Sequence, residues 1–489
     1  MKTGKIQTLI KGKGLLQNSF WGVLANILQN LFLGLFFILL ARSYSVEDFA
    51  DYLVANTLYQ LVASFSTMGL GQWFTREIVN TEDKQSLISR FLKLQIYFGV
   101  FFYLANCGLT VLLYNDELII RLSLYVGVNI LFDNFIYALR SLNIAENKQK
   151  HSFLILLIES SIKLVVGGIL VLQSVSIEMF TILSVLLRIV TLNLFLKMSS
   201  SNLVNIKSVV AAKITWEHVK NIVLANWVFV VIGSVSVIYW RISNIIISKM
   251  LTSYDVANFE ICFKFFSIAQ IIPVIFSATV FPKLVRLSNE KKYDELRRFY
   301  SLVYYGYLIF SLLCYTFIYS FGDSLMPWMF GEKFIGLADS LNKMFLTILI
   351  FPTALLQANL LVAVKMEKYD MIYNVISLLC NLILSFVFLY FNKELSAVNI
   401  SIFISFLLFH IMQDFSLLKR KFISIQKVMV FYLSIGLTVL LFFILGGYLQ
   451  LPLIFFLFWT ALVIGAIVVL RIREMRFADV KKLLVGLNG

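Results

Sequence analysis

Fourteen runs of predominantly apolar residues, most of them about 20 residues long, follow one another along this chain. They occupy residues 15–41, 53–74, 91–113, 118–139, 153–173, 176–197, 221–247, 257–281, 299–321, 335–363, 371–391, 396–418, 427–447 and 451–470. About 20 apolar residues in a helix span a hydrocarbon core of about 30 Å. Most of the runs are apolar all round rather than along one stripe, as helices facing lipid and each other must be. Composition points the same way. Of 489 residues, 60% are hydrophobic and only 14% charged, against about 25% charged in soluble domains. The mean hydropathy is +0.86. The expected fold class is an all-α polytopic membrane protein of about 14 transmembrane helices.

The N-terminal stretch is basic and then apolar, in the manner of a signal peptide. The apolar run continues to Ala41 with no small-x-small cleavage site after it, so it reads as a retained first span. The four cysteines (Cys107, Cys262, Cys314, Cys380) stand singly in apolar runs. That pattern implies neither a disulfide framework nor a zinc site.

The net charge of +15 is placed in a way that excludes a nucleic-acid partner as its explanation. With the N-terminus inside, the inner loops hold 31 of the 42 basic residues and the outer loops only five. That bias is the positive-inside pattern, and it puts both termini in the cytoplasm. Arg140 is counted there among the loop residues that follow the fourth run.

The stretch "LLARSYSVEDFADY", Leu39 to Tyr52, returns as "IISKMLTSYDVANF", Ile246 to Phe259, at an offset of 207 residues. Arg42 faces Lys249, Asp48 faces Asp255 and Ala50 faces Ala257. Further on, Phe74-Thr75-Arg76 faces Phe281-Pro282-Lys283. The offset corresponds to six helices, an even number, so both copies enter the membrane in the same sense. This is a parallel repeat of two six-helix lobes. The expected organisation is an N-terminal lobe over 1–198, a cytoplasmic linker over 199–220 and a second lobe over 221–418. Two additional helices over 427–470 and a basic cytoplasmic tail over 471–489 complete it.

The first copy, through "GLGQWFTREI", resembles the opening helices of Wzx-type polysaccharide flippases of the multidrug/oligosaccharidyl-lipid/polysaccharide exporter superfamily. Gly69, Gly71, Arg76 and Glu77 stand where that family closes its motif. "YWRISNIIISKMLTSYDVANF" and "FGEKFIGLADSL" resemble later helices, and Asn381 falls where the eleventh helix usually has Asn. The pattern departs at Ser243, where members often carry Asp. The resemblance implies transport rather than catalysis. Polyprenyl-diphosphate-linked oligosaccharides would move from the cytoplasmic to the outer leaflet of a bacterial inner membrane for O-antigen or capsule synthesis. It implies no cofactor, and a polysaccharide polymerase and a chain-length regulator as partners. Drug exporters and peptidoglycan-precursor flippases share the superfamily. A polytopic polymerase or glycosyltransferase is the alternative of another class, but no sizeable outer loop or soluble domain is present to hold its substrate.

Charges inside the membrane are expensive and mark functional candidates. Six bases fall within spans: Lys93, Lys163, Arg188, Arg241, Lys264 and Lys343. Lys93 lies near the inner end of its helix and is expected to snorkel. Glu159–Lys163 and Glu260–Lys264 are spaced i, i+4 and share a helix face. Each pair either neutralises itself or serves the substrate. Arg188 and Arg241 are left without an obvious local partner, and Asp133 is the lone acid able to pair with either. Arg188, Arg241, Lys163 and Lys264 are the candidate diphosphate-binding cations, since guanidinium and ammonium groups bind phosphate oxygens. Asp133, Glu159 and Glu260 are the candidates for ion coupling. Asn18, Asn26 and Asn30 lie on one face of the first helix, where they would contact sugar or glue helices together. Pro273 and Pro352 fall inside runs and would bend them. No GxxxxGK[ST] motif occurs, and no His, Cys or acidic spacing suggests a metal site.

Overall fold

The computed structural model describes residues 25, 27–146, 148–199, 204–334, 336–445 and 452–472. Every regular element among them is helical. The first eight are α1 (Ile27–Ser43), α2 (Val46–Ser66), α3 (Leu70–Asn80), α4 (Lys84–Leu113), α5 (Glu117–Gly127), α6 (Asn129–Ala145), α7 (Gln149–Leu172) and α8 (Ile177–Leu194). A short α9 (Ile206–Ala211) precedes α10 (Trp216–Met250), α11 (Ser253–Asn289) and α12 (Tyr293–Phe330). Then come α13 (Leu337–Phe345), α14 (Phe351–Ala363), α15 (Glu367–Phe391), α16 (Leu395–Lys419), α17 (Ile425–Leu445) and α18 (Pro452–Ile472). Ten described helical segments are long and apolar enough to cross a membrane. The residues fall into two compact units that divide between Ala257 and Asn258.

The repeated corner is a helix start written twice. Ser45 caps α2, its hydroxyl accepting from the Asp48 N–H at 3.0 Å. In the second copy the Thr252 hydroxyl accepts from the Asp255 N–H at 3.3 Å and donates to the Asp255 carboxylate at 2.6 Å. A side-chain oxygen here satisfies a donor that the first helical turn leaves open. The matched Ser/Thr and Asp therefore restart the chain after a tight hairpin.

Three apolar runs carry an irregular turn, though two of them remain within one spanning segment each, Glu117–Ala145 and Leu337–Ala363. The run 53–74 is interrupted where Met68 and Gly69 adopt left-handed backbone, with φ of 50° and 59°. Its counterpart in the repeat stays helical through Asn289 as α11, with Pro273 and Pro282 inside. The run 118–139 has a local turn at Val128, whose φ of −55° and ψ of −28° stay helical, between α5 and α6. The run 335–363 becomes α13, a 3-10 turn at Leu346–Leu349 and α14. Pro352 stands in the first turn of α14 rather than bending its interior, where its missing N–H costs nothing. Lys93 does not merely snorkel. Its ammonium donates to the Val210 and Ala212 carbonyls at 2.7 Å each and holds the C-terminal end of α9.

In the first unit, Phe74 of α3 stacks on Phe91 of α4 with centroids 4.2 Å apart, amid Ile136, Leu139 and Leu142 of α6. In the second unit, α12 buries Tyr300, Tyr304 and Phe330 along its 38 residues. Large apolar side chains such as Phe101, Leu104, Tyr390 and Phe391 are exposed. Exposed apolar surface of that extent belongs against lipid rather than water.

Candidate functional site

The site of the first unit is assembled from α2, α6, α7 and α8. A polar staple sets the register. Asn134 of α6 donates to the Ser66 carbonyl of α2 at 3.3 Å and to the Gln95 carbonyl of α4 at 3.2 Å. The Ser66 hydroxyl in turn donates to the Asn134 side-chain oxygen at 2.6 Å. All three side chains are buried. This fixes the α6 residue before it, Asp133.

Arg188 of α8 donates from Nε to Asp133 at 2.6 Å and from Nη1 to Glu159 of α7 at 2.7 Å. Glu159 also holds Lys163, one turn along α7, at 2.7 Å. The Tyr59 hydroxyl of α2 donates to Asp133. Two acids and two bases thus form one partly buried network of zero net formal charge. Asp133 pairs with Arg188, one of the two partners open to it, and Glu159 is a second partner that the sequence assigned to Lys163 alone. The carboxylates that Arg188 meets lie on two neighbouring helices, 55 and 29 residues away in sequence, where i, i+4 spacing has no view. The Glu159–Lys163 pair forms as its spacing predicts.

A cavity of about 610 Å³ lies against this network. Tyr59, Gln60 and Ser64 of α2, Asp133 and Arg140 of α6, and Arg188 are among its lining residues. Arg140 is exposed and, among the described residues, forms no ion pair. Counting it as a loop residue was an error of helix length, since α6 runs on to Ala145. The available signal was its position seven residues after Asp133, which puts the two side chains on one helix face.

Arg241 is partly buried on α10, whereas Lys264 and the buried Glu260 lie on α11 in the second unit. Asn30 is partly buried on α1, and Asn18 and Asn26 lie outside the described residues. Lys343 pairs with Asp339 at 2.6 Å on α13. Among the described residues no group of three His, Cys, Asp or Glu could hold a metal ion.

The two motif glycines have separate physical roles. Gly69 supplies the left-handed turn before α3, a conformation that costs glycine little. At Gly71 a Cβ would lie 2.5 Å from both the Tyr137 hydroxyl and the Ser141 hydroxyl of α6, and the Gly71 N–H donates to Tyr137 at 2.7 Å. Glu77 lines a smaller cavity of about 210 Å³ with Trp73, Thr81 and Arg90. The Arg76 side chain lies outside the described residues.

The model of the family described as "Polysaccharide biosynthesis protein" matches residues 15–288. The chain belongs to this polysaccharide biosynthesis protein family. Among solved structures, this family member is similar to the lipid II flippase MurJ in an inward closed conformation. The TM-score is 0.68 at 15% identity, covering 91% of this chain and 99% of that one. It is also similar to an inward-facing multidrug resistance MATE family transporter of the MOP superfamily. There the TM-score is 0.65 at 12% identity, covering 84% and 95%. A MOP superfamily transporter from Pyrococcus furiosus, described as having a binding pocket of reverse polarity, aligns with TM-score 0.55 at 13% identity, covering 87% and 96%. These likenesses show a shared fold. A search of curated proteins returns no match.

Proposed function

We propose that this family member is a flippase and not an enzyme. It moves polyprenyl-diphosphate-linked oligosaccharide repeat units from the cytoplasmic to the outer leaflet of a bacterial inner membrane, by alternating access. The product would feed O-antigen or capsular polysaccharide synthesis, alongside a polymerase and a chain-length regulator. In this reading about 14 helices cross the membrane, in two six-helix lobes plus two, with both termini cytoplasmic.

One observation carries the proposal. The cavity offers the Arg140 guanidinium to an incoming group, while Arg188 beside it is already neutralised by Asp133 and Glu159. A guanidinium is suited to paired phosphate oxygens. The diphosphate role therefore falls first on Arg140, with Arg188 and Lys163 holding the cavity wall in place. Arg241 and Lys264 are the further cations of this reading. Gln60, Ser64 and Tyr59 suit sugar hydroxyls, together with the asparagines of the first helix. Asp133, Glu159 and Glu260 are the acids open to ion coupling.

The test is to delete the gene and follow the lipid-linked repeat unit. Accumulation in the cytoplasmic leaflet, corrected by the native chain and not by Arg140→Ala, is the expected result. Loss of the repeat unit itself would point to an enzyme and end the flippase proposal.

A further inference from the structure

The second unit encloses a polar cluster that the transport proposal does not use. His410 of α16 is fully buried. Its Nδ1 lies 2.7 Å from the Tyr432 hydroxyl of α17 and 3.1 Å from Asp414, one turn along α16. Its Nε2 lies 3.1 Å from the Thr353 hydroxyl of α14. The buried Asp414 carboxylate accepts from Gln357 of α14 at 2.6 Å and from the Tyr432 hydroxyl at 2.8 Å.

The positions of the protons follow from these bonds. Tyr432 has a single hydroxyl proton and gives it to Asp414, so its oxygen accepts from His410 and Nδ1 carries a hydrogen. Nε2 is the variable atom. When the Thr353 hydroxyl points at the Ile350 carbonyl, 2.8 Å away, its oxygen accepts from a protonated Nε2. That carbonyl already receives the Ala354 N–H at 3.0 Å. The hydroxyl is therefore able to turn and donate to a bare Nε2 instead. Both protonation states of His410 are hydrogen-bonded with no heavy atom displaced. With the proton the pair is imidazolium and carboxylate, formally neutral. Without it the carboxylate is a lone buried anion, which a membrane interior disfavours.

Among the described residues, the groups facing the cluster add no cation to this balance. Phe431 of α17 stacks on the imidazole at 4.6 Å. Tyr300 and Tyr304 of α12 lie within reach of the Asp414 charge. Asp370 of α15 is held by Gln413 at 2.9 Å, and Lys427, more than a turn before Tyr432 on α17, bonds Ser301 of α12.

We propose that His410 Nε2 is a reversible proton-binding site, with Asp414 as its counter-charge and Thr353 as its turning partner. The ligand is a proton taken from water and returned to it. Because the partners sit on α14, α16 and α17, occupancy of the site is tied to the packing of those three helices. The proposal stands independently of the flippase reading, and its test does not use transport.

The chain has three histidines. Replacing His151 and His218 by Gln leaves His410 as the single nitrogen-15 label in histidine-labelled protein reconstituted in liposomes. Imidazole nitrogen spectra are then recorded from pH 5 to pH 9. The expected result is a doubly protonated ring at the acid end and a neutral ring protonated on Nδ1 at the alkaline end. Asp414→Asn should remove the doubly protonated form from that range. Should that variant fail to fold, Thr353→Val is the second arm: it removes the hydroxyl 3.1 Å from Nε2, and the Nε2 resonance should move in both protonation states while Nδ1 keeps its proton beside Asp414. A ring that never changes state, a neutral form protonated on Nε2, or an Nε2 resonance unmoved by Thr353→Val would overturn the site.

Discussion

Removing Arg188 should damage the first unit more than it damages any substrate contact. In Arg188→Ala, Glu159 keeps Lys163 at 2.7 Å, but Asp133 is left with the Tyr59 hydroxyl alone. The formal charge of the network passes from zero to minus one in a region where the Glu159 side chain is 5% and the Asp133 side chain 17% exposed. Breaking a buried pair by removing one partner costs about 3–5 kcal/mol. Asp133 is not fully enclosed, so the lower end, about 3 kcal/mol, is the expected loss. Neutralising the stranded acid in the double variant Asp133→Asn/Arg188→Ala should return at least half of it. The assay is unfolding of the purified protein in detergent, run as a double-mutant cycle. An Arg188→Ala protein as stable as the parent, or a double variant no better than the single one, would refute the network as the wall of the cavity.

Arg140→Ala should leave stability within about 0.5 kcal/mol of the parent, since no ion pair is lost. Transport of the repeat unit should fall about tenfold or more, and equal transport would exclude Arg140 from binding. Gly71→Ala pushes a methyl group onto Tyr137 and Ser141 and should cost about 1–3 kcal/mol, partly recovered by Tyr137→Phe in the same unfolding assay. Asp51 lies just before the second apolar run, where burial first, and then Asp116, Asp48 and Glu47, push its carboxyl up to about 6. A carboxyl pKa raised above its unfolded value of about 3.9 favours the folded form when protonated. Stability should therefore rise as pH falls from about 6 toward 4 and be lost as pH rises through 6. Asp51→Asn should flatten that dependence, and an unchanged pH profile would refute it.

The repeated corner shows how much local chemistry is legible in a sequence. Ser45 with Asp48 and Thr252 with Asp255 are helix caps, and a cap needs only residues three apart. The same holds for the Glu159–Lys163 pair. The copies diverge just beyond the corner, where Met68 and Gly69 break the first while α11 runs on. Gly69 marked that break, but nothing in an apolar run states that its neighbour will also turn left-handed. Arg140 was missed for a related reason. Hydrophobicity ends at Leu139, whereas hydrogen bonding carries α6 on to Ala145.

That this chain is a helical membrane protein is legible in its residues alone, because apolar runs of spanning length leave the backbone no other way to satisfy its polar groups. The repeated corner and the inventory of charges within apolar runs are legible there too. Which charges meet depends on how the helices pack. Arg188 finds Asp133 and Glu159, and His410 finds Thr353 from 57 residues away, because helices pack sideways. In a nearly uniform apolar sequence, no periodicity records which face of one helix lies against which face of the next.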